Sequence, residues 1–196
     1  MISYCKKNNV PLVVDIHGDS LIQHIKVKNT IGKKIKKTLD FSDGIVCISK
    51  KIFDSAKEVG LPEEKLSYIP LGVNIDLFKP RNKIKLKRKY GMNGKNVILF
   101  VGDLNVSKGV YYLLNAIQLL PDNIKKKTIF VFVGDGPEKL SLKKYAEKLS
   151  IVHNIRFEGR LNPVNGLSDW YSLADIFDLP SLSEGRPMVI NEAMAS

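Results

Sequence analysis

The strongest constraint on the fold is a repeated alternation of short apolar runs with longer amphipathic stretches. Each apolar run has four to six residues and stops at a polar or glycine-bearing turn. Pro11–Ile16 stops at His17-Gly18, Gly44–Ile48 at Ser49, and Val97–Val101 at Gly102. Thr128–Val133 stops at Gly134-Asp135-Gly136-Pro137, and Leu66–Ile69, Ile155–Glu158 and Ile176–Leu179 are shorter runs of the same kind. Runs of this length bounded by turn residues read as buried strands of a parallel sheet. Between them the spacing predicts helices over Ser20–Asp40, with Leu21, Ile25, Ile31, Ile35 and Leu39 on one face, and over Lys108–Leu120. Ser49 caps the helix that follows it, and Gly60 closes that helix. Further helices carry Leu140, Tyr145 and Leu149 on one side, span Gly166–Ala174, and open at Pro187, a residue suited to a first helical turn, to run to Ala195. Strand and helix alternating in this way specify β-α-β units.

The alternation is interrupted once. Lys79–Lys89 holds seven basic residues of eleven and no acid, with too little apolar content for a core, and reads as a surface linker that has room for a helical turn. The expected organisation is therefore a domain over 1–78, a basic linker over 79–95, and a second domain over 96–196. The last predicted helix has no C-terminal stop signal before Ser196, and three strands do not comfortably cover both faces of a parallel sheet. Both domains are expected to be incomplete.

Composition excludes several classes. Apolar residues make up 44% of the 196, which is enough for a globular core. No apolar run approaches the roughly 18 residues that a spanning helix needs, and the start lacks the charged-then-apolar order of a secretory signal. Cys5 and Cys47 stand in no metal-ligand spacing and form no disulfide framework. A cytoplasmic location is expected. The net charge of +11 is uneven: residues 1–90 carry 19 basic and 9 acidic side chains, and residues 91–196 carry 12 and 11. The basic runs contain no interleaved aromatics and no recognised module, so nucleic acid is not the expected partner.

In open α/β sheets, ligands bind beyond the carboxyl ends of the strands, and the glycine and polar clusters of this chain lie there. Glycine permits close backbone approach and helix starts present N–H groups to anions, so the set fits a phosphate-bearing ligand. Any single cluster reads equally as an ordinary βα turn. Neither G-x-G-x-x-G after a strand nor a P-loop occurs, and no Asp-x-Asp or His/Cys cluster offers metal ligands. Glu184 and Glu192 are two carboxylates separated by seven residues across a turn and a helix start. They suit paired sugar hydroxyls, or a solvated acid and an ordinary first-turn helix acid.

The run from Asp178 through Ser-Glu184-Gly-Arg-Pro-Met-Val-Ile-Asn-Glu192 to Ser196 resembles the E-x7-E signature of retaining GT-B glycosyltransferases, family 4. Other pieces follow in the family's order. Val14-Asp-Ile-His17-Gly18 resembles its strand ending in His-Gly, and Ser42–Ser49 its D-x-I-x-x-x-S strand. Glu64–Pro80 resembles K-I-x-V-I-P-N-G-V-D-x-x-x-F-x-P, Phe100–Gly109 resembles G-R-L-x-x-x-K-G, and Val133–Pro137 resembles G-x-G-P. The resemblance spans nearly the whole chain and implies an α/β GT-B fold of two Rossmann-like parallel-sheet domains. It also implies sugar transfer from a UDP- or GDP-linked donor to a glycan or lipid-linked hydroxyl acceptor, without a metal or other cofactor, in polysaccharide or glycolipid synthesis.

By the same resemblance Lys108 stabilises the departing diphosphate, Glu184 holds donor-sugar hydroxyls, and Glu192 holds the ribose. Gly185, Arg186, Pro187 and Met188 line the sugar–phosphate pocket, with Gly102 and position 103 at the first strand end and Arg160 and Leu161 by the base. His17 comes from the first domain, beside the transferred sugar. One position departs: where the family usually has arginine after the glycine of the first second-domain strand, this chain has Asp103, which reverses the local charge. Because the family extends beyond both ends of these residues, the 196 residues alone are expected to be inactive or nearly so. The alternative is a non-catalytic remnant that binds a nucleotide sugar or a protein partner. The clustered lysines of the first half suit an anionic leaflet, and with it a peripheral position on the inner face of the plasma membrane, or else an ordinary solvated face.

Overall fold

The computed structural model describes residues 2–184 and 186–196. Two compact units emerge, Met1–Gly72 with Glu184–Pro187, and Val73–Ser183 with Met188–Ser196.

The first unit runs α1 (Ile2–Asn8), β1 (Val13–Ile16), α2 (Ser20–Lys26), α3 (Thr30–Phe41), β2 (Gly44–Cys47), α4 (Lys50–Glu58) and β3 (Leu66–Tyr68). Among the described residues its strands pair in parallel in the order β1-β2-β3, with Ile16 opposite Cys47. Ile16, Ile45 and Cys47 pack with Ile22 and Ile25 of α2, Leu39 of α3 and Ile52 of α4. The single helix expected over Ser20–Asp40 is in fact two. Lys28 adopts φ +56°, and the Asn29 side chain accepts a hydrogen bond from the Gly32 N–H at 2.7 Å, capping a new helix. Gly32 permits the tight α2–α3 corner, since a Cβ there would lie 1.9 Å from the His24 carbonyl oxygen.

The second unit runs α5 (Lys83–Lys89), β4 (Asn96–Val101), α6 (Val110–Leu119), α7 (Asp122–Lys125), β5 (Thr128–Val133), α8 (Lys139–Lys148), β6 (Ile155–Gly159), α9 (Ser168–Leu173), β7 (Ile176–Phe177) and α10 (Met188–Ala195). Its described strands are parallel in the order β6-β5-β4-β7. Alternation along β4 and β5 divides the core. Val97, Leu99, Val101, Val131 and Val133 face Trp170, Tyr171 and Leu173. Phe100, Phe130 and Phe132 face Leu113, Leu114 and Ile117 of α6 and Leu142 and Ala146 of α8. Burial of both faces explains why these strands read as continuous apolar runs.

The basic segment is not a solvated spacer. Asn82 caps α5, accepting from the Lys85 N–H at 2.9 Å, and the helix packs on α9. Two carboxylates from the second half hold it. Asp169, 6% exposed, receives Arg81 at 2.7 Å, Lys89 at 2.8 Å and the Tyr90 hydroxyl at 3.0 Å. Asp175 receives Lys83 at 2.7 Å and Lys87 at 2.5 Å, together with the Val97 N–H at 2.7 Å.

Burial works to raise the Asp169 pKa, but the bonds from Lys89, Tyr90 and Arg81 outweigh it and hold the carboxyl below its ordinary value of 3.8. The folded-state pKa is thus the lower one, so this stabilisation is complete above the ordinary value and is lost as pH falls through the folded value. Asp169→Ala is expected to cost about 1–2 kcal/mol near neutral pH, because it removes a buried acceptor of three hydrogen bonds while Lys89 and Arg81 remain within reach of water. Thermal melts from pH 7 to pH 3 should show the gap between wild type and variant closing on acidification. A gap that stays constant would refute the role given to the ionised carboxylate.

Candidate functional site

The carboxyl ends of β4, β5 and β6 are knitted together by backbone hydrogen bonds. The Gly102 N–H donates to the Val133 carbonyl at 3.0 Å, and the Gly134 N–H to the Gly159 carbonyl at 2.8 Å. The Leu104 N–H donates to the Asp135 carbonyl at 3.0 Å, and the Glu138 N–H returns to the Leu104 carbonyl at 3.0 Å. This closeness requires glycine. Gly134 has φ +149°, and a Cβ on it would stand 1.9 Å from the Gly102 carbonyl oxygen. Beyond these ends lies a pocket of about 330 Å³ lined by Gly102, Asp103, Lys108, Gly134, Arg160 and Leu161, among others. Five residues that the sequence marks for donor binding or catalysis therefore meet at one place.

Lys108 reaches this pocket from a short 3₁₀ turn, Val106–Lys108, whose preceding residue Asn105 accepts from the Lys108 N–H at 3.2 Å. The expected helix over Lys108–Leu120 begins after this turn, at Val110. Gly109 closes the turn at φ +67°, and a Cβ there would come within 2.0 Å of the Pro180 carbonyl oxygen. The Leu182 N–H also donates to the Ser107 carbonyl at 2.9 Å. The lysine turn and the segment leading to Ser183 are thus fastened backbone to backbone.

The charge reversal at position 103 has a local partner. Arg160 Nη2 lies 3.0 Å from Asp103 Oδ1, with both side chains largely exposed. Nearby, Asp135 is bonded by Lys139 at 2.7 Å and by the Gly136 N–H at 2.9 Å. Those contacts, with a smaller contribution from Arg160, lower its pKa below the usual carboxylate value.

The remaining predicted residues belong to other elements. Glu192 lies on α10, where the Tyr171 hydroxyl donates to its Oε2 at 2.8 Å. Burial first, and then this bond to a carboxylate, push the Tyr171 phenol far above its ordinary pKa, so it remains a donor. In the first unit His17 follows β1, and its Nε2 is 2.7 Å from Asp15 Oδ2. Arg186 donates to the Ile48 carbonyl at 3.1 Å. Glu184 and Pro187 group with the first unit, and Met188 opens α10 in the second. Gly185 lies outside the described residues. Sequence reasoning missed Asp15 and Tyr171. Asp15 was legible, since residues two apart on a strand share a face. Tyr171 was not, because its partner is 21 residues away in sequence. No group of three or more His, Cys, Asp or Glu suited to a metal occurs among the described residues.

Residues 82–196 match the family described as glycosyl transferases group 1, and residues 1–77 match Glycosyltransferase Family 4. The chain belongs to these glycosyltransferases. The member described here is 30% identical over 189 residues to TuaC of Bacillus subtilis (strain 168), whose name places it as a glycosyltransferase of teichuronic acid biosynthesis. That match covers 95% of this chain and 45% of TuaC. It is 32% identical over 145 residues to the Escherichia coli UDP-Gal:alpha-D-GlcNAc-diphosphoundecaprenol alpha-1,3-galactosyltransferase, covering 71% of this chain and 37% of that one. The chain spans about half the length, or less, of the curated relatives it matches. Among solved structures, Anabaena HepE in complex with UDP superposes with a TM-score of 0.80 at 19% identity, over 99% of this chain and 53% of that one. The fold is therefore the GT-B type that the sequence leads one to expect, with parallel sheets in both units.

Proposed function

We propose that this chain is part of a retaining glycosyltransferase that moves a sugar from a UDP- or GDP-linked donor to a hydroxyl of a glycan or lipid-linked acceptor. The observation that carries this reading is the pocket at the ends of β4, β5 and β6, which joins Lys108 and Arg160 to close-packed glycine turns. Solved neighbours that hold UDP and UDP-glucose support a nucleotide-sugar donor, and the Escherichia coli relative that takes a diphosphoundecaprenol acceptor supports a lipid-linked one.

In this reading Lys108 stabilises the negative charge that grows on the leaving diphosphate, at a fixed position that needs no rearrangement during reaction. Glu184 accepts hydrogen bonds from donor-sugar hydroxyls, and Glu192, oriented by Tyr171, accepts from the ribose. Arg186, Pro187 and Met188 complete the sugar–phosphate wall. His17, oriented by Asp15, stands on the acceptor side. Side-chain cations then supply the charge that a metal supplies in other transferases, so chelation by EDTA leaves the rate unchanged. The deciding experiment uses a chain extended to its relatives' length, given UDP- or GDP-sugars and a lipid-linked acceptor. Release of nucleoside diphosphate with the sugar on the acceptor supports transfer. Binding of the donor without transfer would favour a non-catalytic remnant. The 196 residues alone, about half the length of the relatives, are expected to transfer only at background.

We also place the protein at an anionic membrane surface on its first unit. No described helix is long and apolar enough to cross a membrane. Exposed Val27 and Ile31 stand at the α2–α3 corner with exposed Lys28, Lys33 and Lys34 close in sequence, which is the composition of an interfacial contact, while Lys26 is held by Glu58 at 2.9 Å. A pocket of about 610 Å³ lined in part by Ile25, Lys28, Lys33 and Lys36 adjoins them. The linker cations Arg81, Lys83, Lys87 and Lys89 are not part of this surface, being committed to Asp169 and Asp175. Co-sedimentation with anionic but not neutral liposomes is expected. Equal binding to both would sink the electrostatic account.

A further inference from the structure

The pocket at the strand ends is lined by two cations and one carboxylate. Lys108 and Arg160 are the cations, and Asp103 is the carboxylate. Asp135, the next acid along the rim, is engaged by Lys139 and by the Gly136 N–H, so it does not compete strongly for Arg160. Asp103 and Arg160 meet through one contact, Oδ1 to Nη2 at 3.0 Å, with side chains 64% and 74% exposed. An exposed, single-contact pair of this kind is weak and readily exchanged. A diphosphate is the better partner for a guanidinium, because it carries more charge and accepts two parallel N–H bonds. Arg160 also follows Gly159, whose carbonyl is fixed by the Gly134 N–H, so its backbone is held at the rim while its side chain is free to turn.

We infer that Arg160, which the family resemblance places by the base, is instead the second cation of the diphosphate site, paired with Asp103 and transferred to the phosphates when the donor binds. This inference rests on the reading of the pocket as a nucleotide-sugar site. It gives Asp103 a definite role: the carboxylate lowers the pocket's charge and sets the strength with which Arg160 is released. It also explains how the chain carries an acid where its family usually has arginine, since the cation has moved from the end of β4 to the end of β6, on the far side of the pair.

The test is titration of the 196-residue chain at low salt with UDP, inorganic pyrophosphate and uridine, followed by calorimetry or NMR. Arg160→Gln is expected to weaken UDP and pyrophosphate about tenfold and to leave uridine unchanged. Asp103→Asn is expected to tighten both phosphate probes about threefold, because it removes the competitor. The exchange Asp103→Arg with Arg160→Asp is expected to recover wild-type affinity to within about threefold, and the tightening in Asp103→Asn is the result that a merely structural Asp103–Arg160 pair would not produce. Both side chains are exposed, so melting temperatures should not change. If Arg160→Gln binds UDP within about twofold of wild type while Lys108→Ala abolishes binding, the site stands and the inference is overturned. If the wild-type chain binds neither phosphate probe, the nucleotide-sugar reading falls and the inference falls with it.

Discussion

Gly134→Ala is expected to lower the melting temperature of the second unit severely, although it adds only one methyl group. The new Cβ would stand 1.9 Å from the Gly102 carbonyl oxygen, and φ +149° at that position is a conformation that L side chains rarely adopt. Backbone strain of this kind costs about 1–3 kcal/mol, and forcing two strand ends apart adds about 1–3 kcal/mol more. The sum, about 2–6 kcal/mol, is a large fraction of the stability of a small domain, about 5–15 kcal/mol. Relief by local movement is blocked, because Gly102 and Gly134 both donate to neighbouring strand ends. Gly159→Ala is the matched control: φ is +76°, but a Cβ there meets nothing within 4 Å. It should cost only about 1–2 kcal/mol. Circular-dichroism melts of the two variants decide the matter, and a Gly134→Ala protein that melts together with Gly159→Ala would show that the strand ends yield.

Lys108→Ala is expected to lower transfer by about a hundred- to a thousandfold in a chain of the relatives' length, with a much smaller effect on acceptor KM. In the proposed mechanism the lysine works from a turn whose backbone is fixed at both ends by Asn105 and Gly109, which limits the ordering needed during reaction. Glu184→Gln keeps size and shape but removes the charge that makes a carboxylate a strong acceptor, and a loss of the same order is expected. The two variants separate the readings of the site. Both should retain the fold, and only Lys108→Ala should also lose affinity for UDP, since Glu184 is assigned to the sugar. Transfer within about threefold of wild type for either variant would remove that residue from the machinery.

Much of this was legible in the residues. The strands of the second unit are buried on both faces, so their sequences are unbroken apolar runs and their ends fall at glycines. The pocket gathers Gly102, Lys108 and Arg160 because parallel strands in one sheet bring their carboxyl ends to one side. What stayed hidden is what depends on distant partners. The break at Lys28-Asn29 is set by a cap whose Asn sits within an otherwise continuous helical period. The docking of the basic segment depends on Asp169 and Asp175, about 80 residues away, so its composition alone reads as solvated. The Asp103–Arg160 pair lies 57 residues apart on neighbouring loops, and only the strand order β6-β5-β4 reveals that those loops share a rim.

The close approach of Gly109 to Pro180 and the hydrogen bond from Leu182 to Ser107 have a consequence for engineering. The lysine turn and the segment before Glu184 form one cassette, despite the 70-odd residues between them. A chimera that imports the 180–192 segment from a relative to change sugar preference must therefore import 105–109 as well. Importing either half alone would set a foreign carbonyl against a glycine turn shaped for another backbone, and the graft would misplace its own lysine.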